Sequence, residues 1–149
     1  TGKDASAEIL ASLTTLRYAG SFSWSGLPFM ADKLKQHPQA AWENRHKNRE
    51  VWKDHLDYLR RHDQTFLASL ALATGEIAAG LRDRAEIEAV REAGLFKHIV
   101  WVERPGTPVD PTVTFGPEAA DEILLNDGDL TLLRDRLADF CRGHNLPSK

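Results

Sequence analysis

Helical periods and short β-type runs alternate along this chain. Ile9, Leu13 and Leu16 are spaced by four and three residues, which predicts a helix over 4–17 with one buried stripe. Gly20 closes that unit, and 18–24 reads as a short strand. After the Gly26-Leu27-Pro28 turn, a short helix is expected over 28–36 with Pro28 in its first turn. Pro38 breaks it. A long helix over 39–61 follows, with Trp42, Arg45, Arg49, Trp52, Leu56 and Leu59 at spacings of three and four on one face. A further helix over 63–73 is capped by Asp63 and ended by Gly75. The run 76–81 reads as a buried strand. Asp83 and Glu86 form a D-x-x-E capping box for a helix to about residue 93, stopped by Gly94. The run FKHIVWV, 96–102, is the clearest strand, β-branched and aromatic. Residues 103–118 hold four prolines and two glycines and read as a loop. A strand at 122–125 leads to an Asn126-Asp127-Gly128 turn. Asp129 then caps a last helix with Leu130, Leu133, Leu137 and Phe140 as its stripe, and the tail from Gly143 is expected to fray.

This alternation predicts an α/β fold: a parallel sheet holding all four strands, with helices on both faces. Right-handed crossovers place the loops after the strands on one edge of the sheet, where ligands of such folds bind. Arg82 and Asp83, the loop 103–117 and the turn 126–128 would then gather near Gly2 and Lys3.

Composition narrows the classes. A chain of 149 residues fits one domain with a sizeable core. A formal net charge of −3 gives the molecule no general attraction to nucleic acid. The single cysteine, Cys141, excludes an intramolecular disulfide and fits a reducing compartment. No apolar run approaches membrane-spanning length. No basic-then-apolar signal opens the chain, so a cytoplasmic protein is expected.

The candidate chemistry begins at TGKD, residues 1–4. Glycine lets backbone N–H groups curl around an anion, lysine reaches the β- and γ-phosphates, and a helix N-terminus faces them. The stretch supplies the back half of a phosphate-binding loop, or an ordinary helix start. Asp4 stands where a carboxylate can hold Mg²⁺, or serves as a first-turn acid favoured by the helix dipole. Arg45 and Arg49 share an otherwise apolar face and need partners: an acceptor phosphate that their planar forks suit, or salt bridges at a rim. Lys47, Lys53, Arg60 and Arg61 are interleaved with Glu50, Asp54 and Asp57 and read as a solvated face. Arg104 follows a strand and is a candidate clamp on a donor nucleotide, or an exposed loop arginine. The six histidines show no metal spacing, and Cys141 has no evident base.

Three stretches together resemble phage-type deoxynucleoside monophosphate kinases and their P-loop kinase relatives: TGKDASAEIL, EIAAGLRDRAEIEAV, and HIVWVERPG followed by ADEILLNDGDLTLLRDRL. The likeness covers 1–10 and 75–140; 20–72 matches only in general layout. It implies transfer of the ATP γ-phosphoryl group to a (deoxy)nucleoside monophosphate with Mg²⁺, in the host cytoplasm if the protein is phage-encoded. It implies that Gly2, Lys3, Asp4, Ala5, Arg104, Asn126 and Gly128 bind ATP, with Mg²⁺ at Asp4. Lys3, Arg82 and Asp83 are the implied catalytic residues. Arg45, Arg49 and Arg82 are the expected acceptor side, within a helical segment 39–73 of a single domain 1–149. In that family a central first strand and the front of the loop precede the position of Thr1, so the chain is expected to be N-terminally incomplete, with a gap in mid-sheet. The family also carries an acid where this sequence has Gly80; Asp83 is the candidate substitute. Two alternatives remain: a phage kinase acting on hydroxymethylated pyrimidine in DNA, with the basic stretch 45–49 on the DNA backbone, and a nucleotide-binding module without catalysis.

Overall fold

The computed structural model describes residues 2–108 and 110–149. Thr1 of the TGKD stretch and Val109 of the proline-rich loop lie outside the described residues. The order of elements is α1 (Lys3–Leu13), β1 (Tyr18–Ser21), α2 (Phe22–Ser25), α3 (Leu27–Leu34), α4 (Pro38–Glu43), α5 (Arg49–His62) and α6 (Phe66–Leu72). Then come β2 (Ile77–Ala79), α7 (Arg84–Glu92), β3 (Val100–Glu103), a 3₁₀ turn (Pro117–Ala119), β4 (Glu122–Leu125) and α8 (Leu130–Gly143).

The class is mixed α/β with parallel strand pairs, but the four strands do not form one sheet. β1 pairs with β2 and β3 pairs with β4, both parallel, in two separate two-stranded sheets. The β3–β4 register is regular, from Val100 opposite Glu122 to Glu103 opposite Leu125. The β1–β2 register slips between Tyr18 and Ser21, where Gly20 has a positive φ. An apolar cavity of about 730 Å³ lies between the pairs, lined by β2, β3 and α1. The single sheet expected from the alternation is therefore not what forms: the strands make two separate pairs.

Two cores flank this arrangement. The larger gathers Phe22, Met30, Trp52, Leu67, Ile87 and Val90 around β1, β2 and the helices from α2 to α7. The smaller joins Leu124, Leu133 and Leu137 to Ile9, Leu10 and Leu13 of α1 and to Val100 and Val102 of β3. Helix α1 thus bridges the second pair and α8.

Several element boundaries differ from the sequence reading. Helix α1 stops at Leu13 because the Thr14 hydroxyl takes the Leu10 carbonyl at 2.7 Å. The expected helix over 39–61 is two helices. Asn44 ends α4 and Asn48 opens α5; asparagine competes for backbone hydrogen bonds and favours such breaks. Arg45 therefore lies in the connection, off the face shared by Trp52, Leu56 and Leu59. Asp63 does not cap α6: its carboxylate takes the Thr65 N–H and hydroxyl in a local turn. The D-x-x-E capping box does not form. Thr114 Oγ1 instead accepts the Arg84 N–H at 2.7 Å, and Glu86 is fully buried against Arg60. Leu130 is exposed, not part of the α8 stripe, while the Asp129 cap forms as expected. The tail is tied down: Thr15 N–H bonds the Pro147 carbonyl, and Thr14 pairs with Ser148. Among the described residues, no helix is long and apolar enough to cross a membrane.

Candidate functional site

Helix α1 begins at the carboxyl edge of the strands. Gly2 lies against Asn126, just past β4, while Arg17, beyond the far end of the helix, accepts N–H bonds from Glu76 and Ile77 at the start of β2. Gly2 has φ 86°, a left-handed conformation that side chains strain to adopt, and a Cβ there would collide with the Asn126 amide. The first helical hydrogen bond runs from Ser6 N–H to the Gly2 carbonyl at 2.8 Å. The amides of Lys3, Asp4 and Ala5 precede it and have no acceptor within the helix. This is the anion-receptive end of an eleven-residue helix.

A second cavity, of about 500 Å³, opens at this end. Lys3 and Asp4 line it from α1, Tyr18 from β1, Trp24 from α2, Trp42 from α4, Arg45 and His46 from the connection, and Gly80 and Arg82 from the end of β2. Lys3, Gly80 and Arg82 border both cavities. Lys3, Asp4, Arg45 and Arg82, singled out on three separate stretches, meet here. Three cations, Lys3, Arg45 and Arg82, stand at this mouth beside the carboxylates of Asp4 and Glu8.

Each of these side chains is held by a nameable contact. The Tyr18 hydroxyl donates to Asp4 Oδ1 at 3.1 Å. Burial, and then the Asp4 charge it faces, push the Tyr18 phenol well above its ordinary range, so it stays a donor at neutral pH. The Arg45 guanidinium lies 3.9 Å from the Trp42 ring centroid and donates to the Trp42 carbonyl at 2.9 Å. Trp42 packs edge-on against Trp24 and Trp52, and Trp24 lies over Gly20. Arg82 donates to Asp110 at 3.2 Å and to Thr112 at 2.9 Å. Burial raises the Asp110 pKa, but hydrogen bonds from Thr112 and the Arg82 and Arg49 charges outweigh it, leaving the carboxyl below its ordinary value. Thr114 N–H bonds the Arg82 carbonyl at 2.8 Å, so the second half of the proline-rich loop is laced to the residues after β2.

The other expected site residues lie elsewhere. Arg49 is exposed at the start of α5 and does not line the cavity; its charge acts on Asp110. Asp83 sits at the N-cap of α7 without a side-chain cap bond and takes only the Thr114 hydroxyl at 3.3 Å. Arg104 is exposed beyond β3 and lines neither cavity. Asn126 is buried, with its N–H on the Glu103 carbonyl at 2.7 Å, next to Gly2. Gly128 packs against Leu132. Gly80 has φ 98° and borders the cavity; an acidic side chain there would be strained. Among the described residues no group of three or more His, Cys, Asp or Glu side chains is placed to hold a metal ion. Asp4 offers one exposed carboxylate. That fits the way Mg²⁺ is commonly held, by one or two protein oxygens with phosphates and water completing the shell.

Sequence reasoning missed Tyr18, Trp24, His46 and Asp110. Tyr18 and Trp24 read as strand residues, and Asp110 stood in a loop read as connection only. A usable signal for Asp110 was the D-P-T run 110–112, an aspartate whose carboxylate can turn onto the N–H two residues on, as it does at 2.9 Å. No protein-family model, curated protein or solved structure matches the chain.

Proposed function

We propose that the protein transfers the γ-phosphoryl group of ATP to a (deoxy)nucleoside monophosphate, in the manner of the P-loop nucleotide kinases it resembles. The observation that carries this reading is the convergence of Lys3, the α1 N-terminus, Arg45 and Arg82 on one cavity. The donor phosphates belong at the α1 amides and Lys3, whose charge interacts most strongly with oxygens that gain charge in the transition state. Mg²⁺, held on the Asp4 side, would neutralise the bridging phosphate oxygens. Arg45 lines the same cavity and suits the acceptor phosphate, its fork held against Trp42. Trp24 and Trp42 supply apolar surface beside it. Arg82, which also lines the cavity, would serve the transferred group on leaving Asp110. The chain's work is therefore positioning and charge stabilisation, with no covalent intermediate on the protein.

The pairing of Arg82 with Asp110 favours a second reading, a module that binds nucleotide without transferring phosphate. Both readings are separated by incubating the protein with γ-labelled ATP, Mg²⁺ and each of the common ribo- and deoxyribonucleoside monophosphates. Labelled diphosphate formed by the wild type and lost in Lys3→Ala supports the kinase. Nucleotide binding without transfer to any acceptor supports the module.

A further inference from the structure

Trp24 is held rigidly in the wall of the cavity at the start of α1, yet the fold leaves it 48% exposed. The local sequence places it there. Helix α2 is a single turn, and Phe22 at its start is buried in the larger core. Two residues on, Trp24 falls on the outer side of that turn. Ser21 caps the turn by accepting the Trp24 N–H on its hydroxyl at 3.1 Å. The indole then rests on Gly20, where φ is 92° and a Cβ would lie 2.8 Å from the ring's Cδ1. Glycine is needed there twice, for the backbone conformation and to seat the ring. Trp42 meets the Trp24 ring nearly at right angles, with centroids 5.0 Å apart, and is braced in turn by the buried Trp52. The Trp42 ring also carries the Arg45 guanidinium at 3.9 Å. One rigid stack of tryptophans thus fixes both a cation and an open indole in the same cavity. Covering the open part of that indole would be favourable, and no group of the fold does so.

We infer that Trp24 is the stacking platform for the acceptor's nucleobase, the residue that makes this site prefer a nucleoside phosphate to a phosphorylated sugar without a base. The inference rests on the nucleotide reading, which places the acceptor's phosphate at Arg45, and adds the base to it. A preorganised indole costs little further ordering on binding, and its π-surface suits the flat face of a base. Arg45 and Trp24 share Trp42 as their support, so one ring sets the phosphate partner and the base partner relative to each other. The hydroxyls around Trp24 are already engaged: Ser21 by the Trp24 N–H, and Tyr18 by Asp4. Stacking accepts any base, because every base has a π-face. The selection made here is therefore between acceptors with and without a base, more than among bases.

The test titrates the wild type, Trp24→Leu and Trp24→Phe by calorimetry with nucleoside monophosphates, with ribose phosphate and with ATP. The wild type should bind the monophosphates at least about tenfold more tightly than ribose phosphate, as expected for one stacked base. Trp24→Leu should lose that preference and keep its affinity for ribose phosphate and ATP. Trp24→Phe, which retains a ring, should restore most of it. A merely structural role for Trp24 would weaken all three ligands together. Should Trp24→Leu not fold, the wild type is labelled with fluorotryptophan, and the fluorine resonance that disappears in Trp24→Phe is followed. A nucleoside monophosphate should shift it and ribose phosphate should not. Equal wild-type affinity for the two ligands, a preference that survives Trp24→Leu, or an unshifted Trp24 resonance overturns the inference. None of these readouts is phosphoryl transfer, so a protein that binds nucleotide through Trp24 without transferring phosphate would remove the kinase reading and leave this one standing.

Discussion

At the scale of single residues, the cavity at the start of α1 divides its work between cations from different elements. Lys3→Ala removes the group set against developing charge. Phosphoryl transfer should fall about 10²–10³-fold with the unfolding midpoint unchanged, since Lys3 is partly exposed and packs no core. A near-wild-type rate in steady-state assays would remove Lys3 from the mechanism. Arg45→Lys keeps the charge and loses the planar fork stacked on Trp42. The acceptor KM should rise on the order of tenfold, about 1.4 kcal/mol, while the ATP KM stays put. Equal changes in both constants would mean that Arg45 orders the whole cavity. Asp110 yields a pH prediction. Its folded-state pKa lies below the ordinary value, so the stability it contributes is present above that value and is lost as pH falls through the depressed one. Midpoints measured from pH 7 downward should drop in the acid range for the wild type and drop less for Asp110→Asn.

At the scale of elements, α5 and α7 are joined through a buried ion pair. Arg60 Nε meets Glu86 at 3.1 Å and its Nη1 meets Asp57 at 3.0 Å, while the Glu86 side chain is entirely buried. Burial holds the Glu86 carboxyl above the usual carboxylate range, with Arg60 pulling the other way. A raised folded pKa means that this group's stabilising contribution is full below the unfolded value and declines as pH rises through the folded one. Arg60→Met leaves a buried charge without its partner and should cost about 3–5 kcal/mol at neutral pH, less in acid, as read by chemical denaturation. Equal losses at both pH values would contradict this account of the pair. The same pair shows what was legible in the sequence. Glu86 three residues after Asp83 reads as a capping box, and Arg60 among alternating charges reads as solvated; only the packing of α7 on α5, through contacts far apart in sequence, reverses both. Strand β4, the Asp129 cap, α7 and the proline-first α3 were legible because their signals are local. The break at Asn44–Asn48 was not legible, because the helical period of Trp42, Trp52 and Leu56 runs across it and reads as one helix. Of the cavity lining, Lys3, Asp4 and Arg82 were legible as polar residues at element ends, and Arg45 as a charge on an otherwise apolar helix face. Tyr18 and Trp24 were not, because a strand pattern gives no sign of which face borders a cavity.

At the scale of the whole molecule, two parallel strand pairs, helix α1 packed against both, and a helical segment from α3 to α6 place a charged cavity at the start of α1. Under the proposed function, Lys3 and the α1 amides take a donor's phosphates and Arg45 an acceptor's. A dinucleoside pentaphosphate spans both sites in a single molecule, so its titration, followed by tryptophan fluorescence and calorimetry, tests that claim most directly. The account predicts one equivalent bound per chain, competition with both ATP and nucleoside monophosphate, and a loss of at least about tenfold in affinity, some 1.4 kcal/mol, for Lys3→Ala and for Arg45→Lys separately. Absence of binding, or binding that neither substitution weakens, would contradict it.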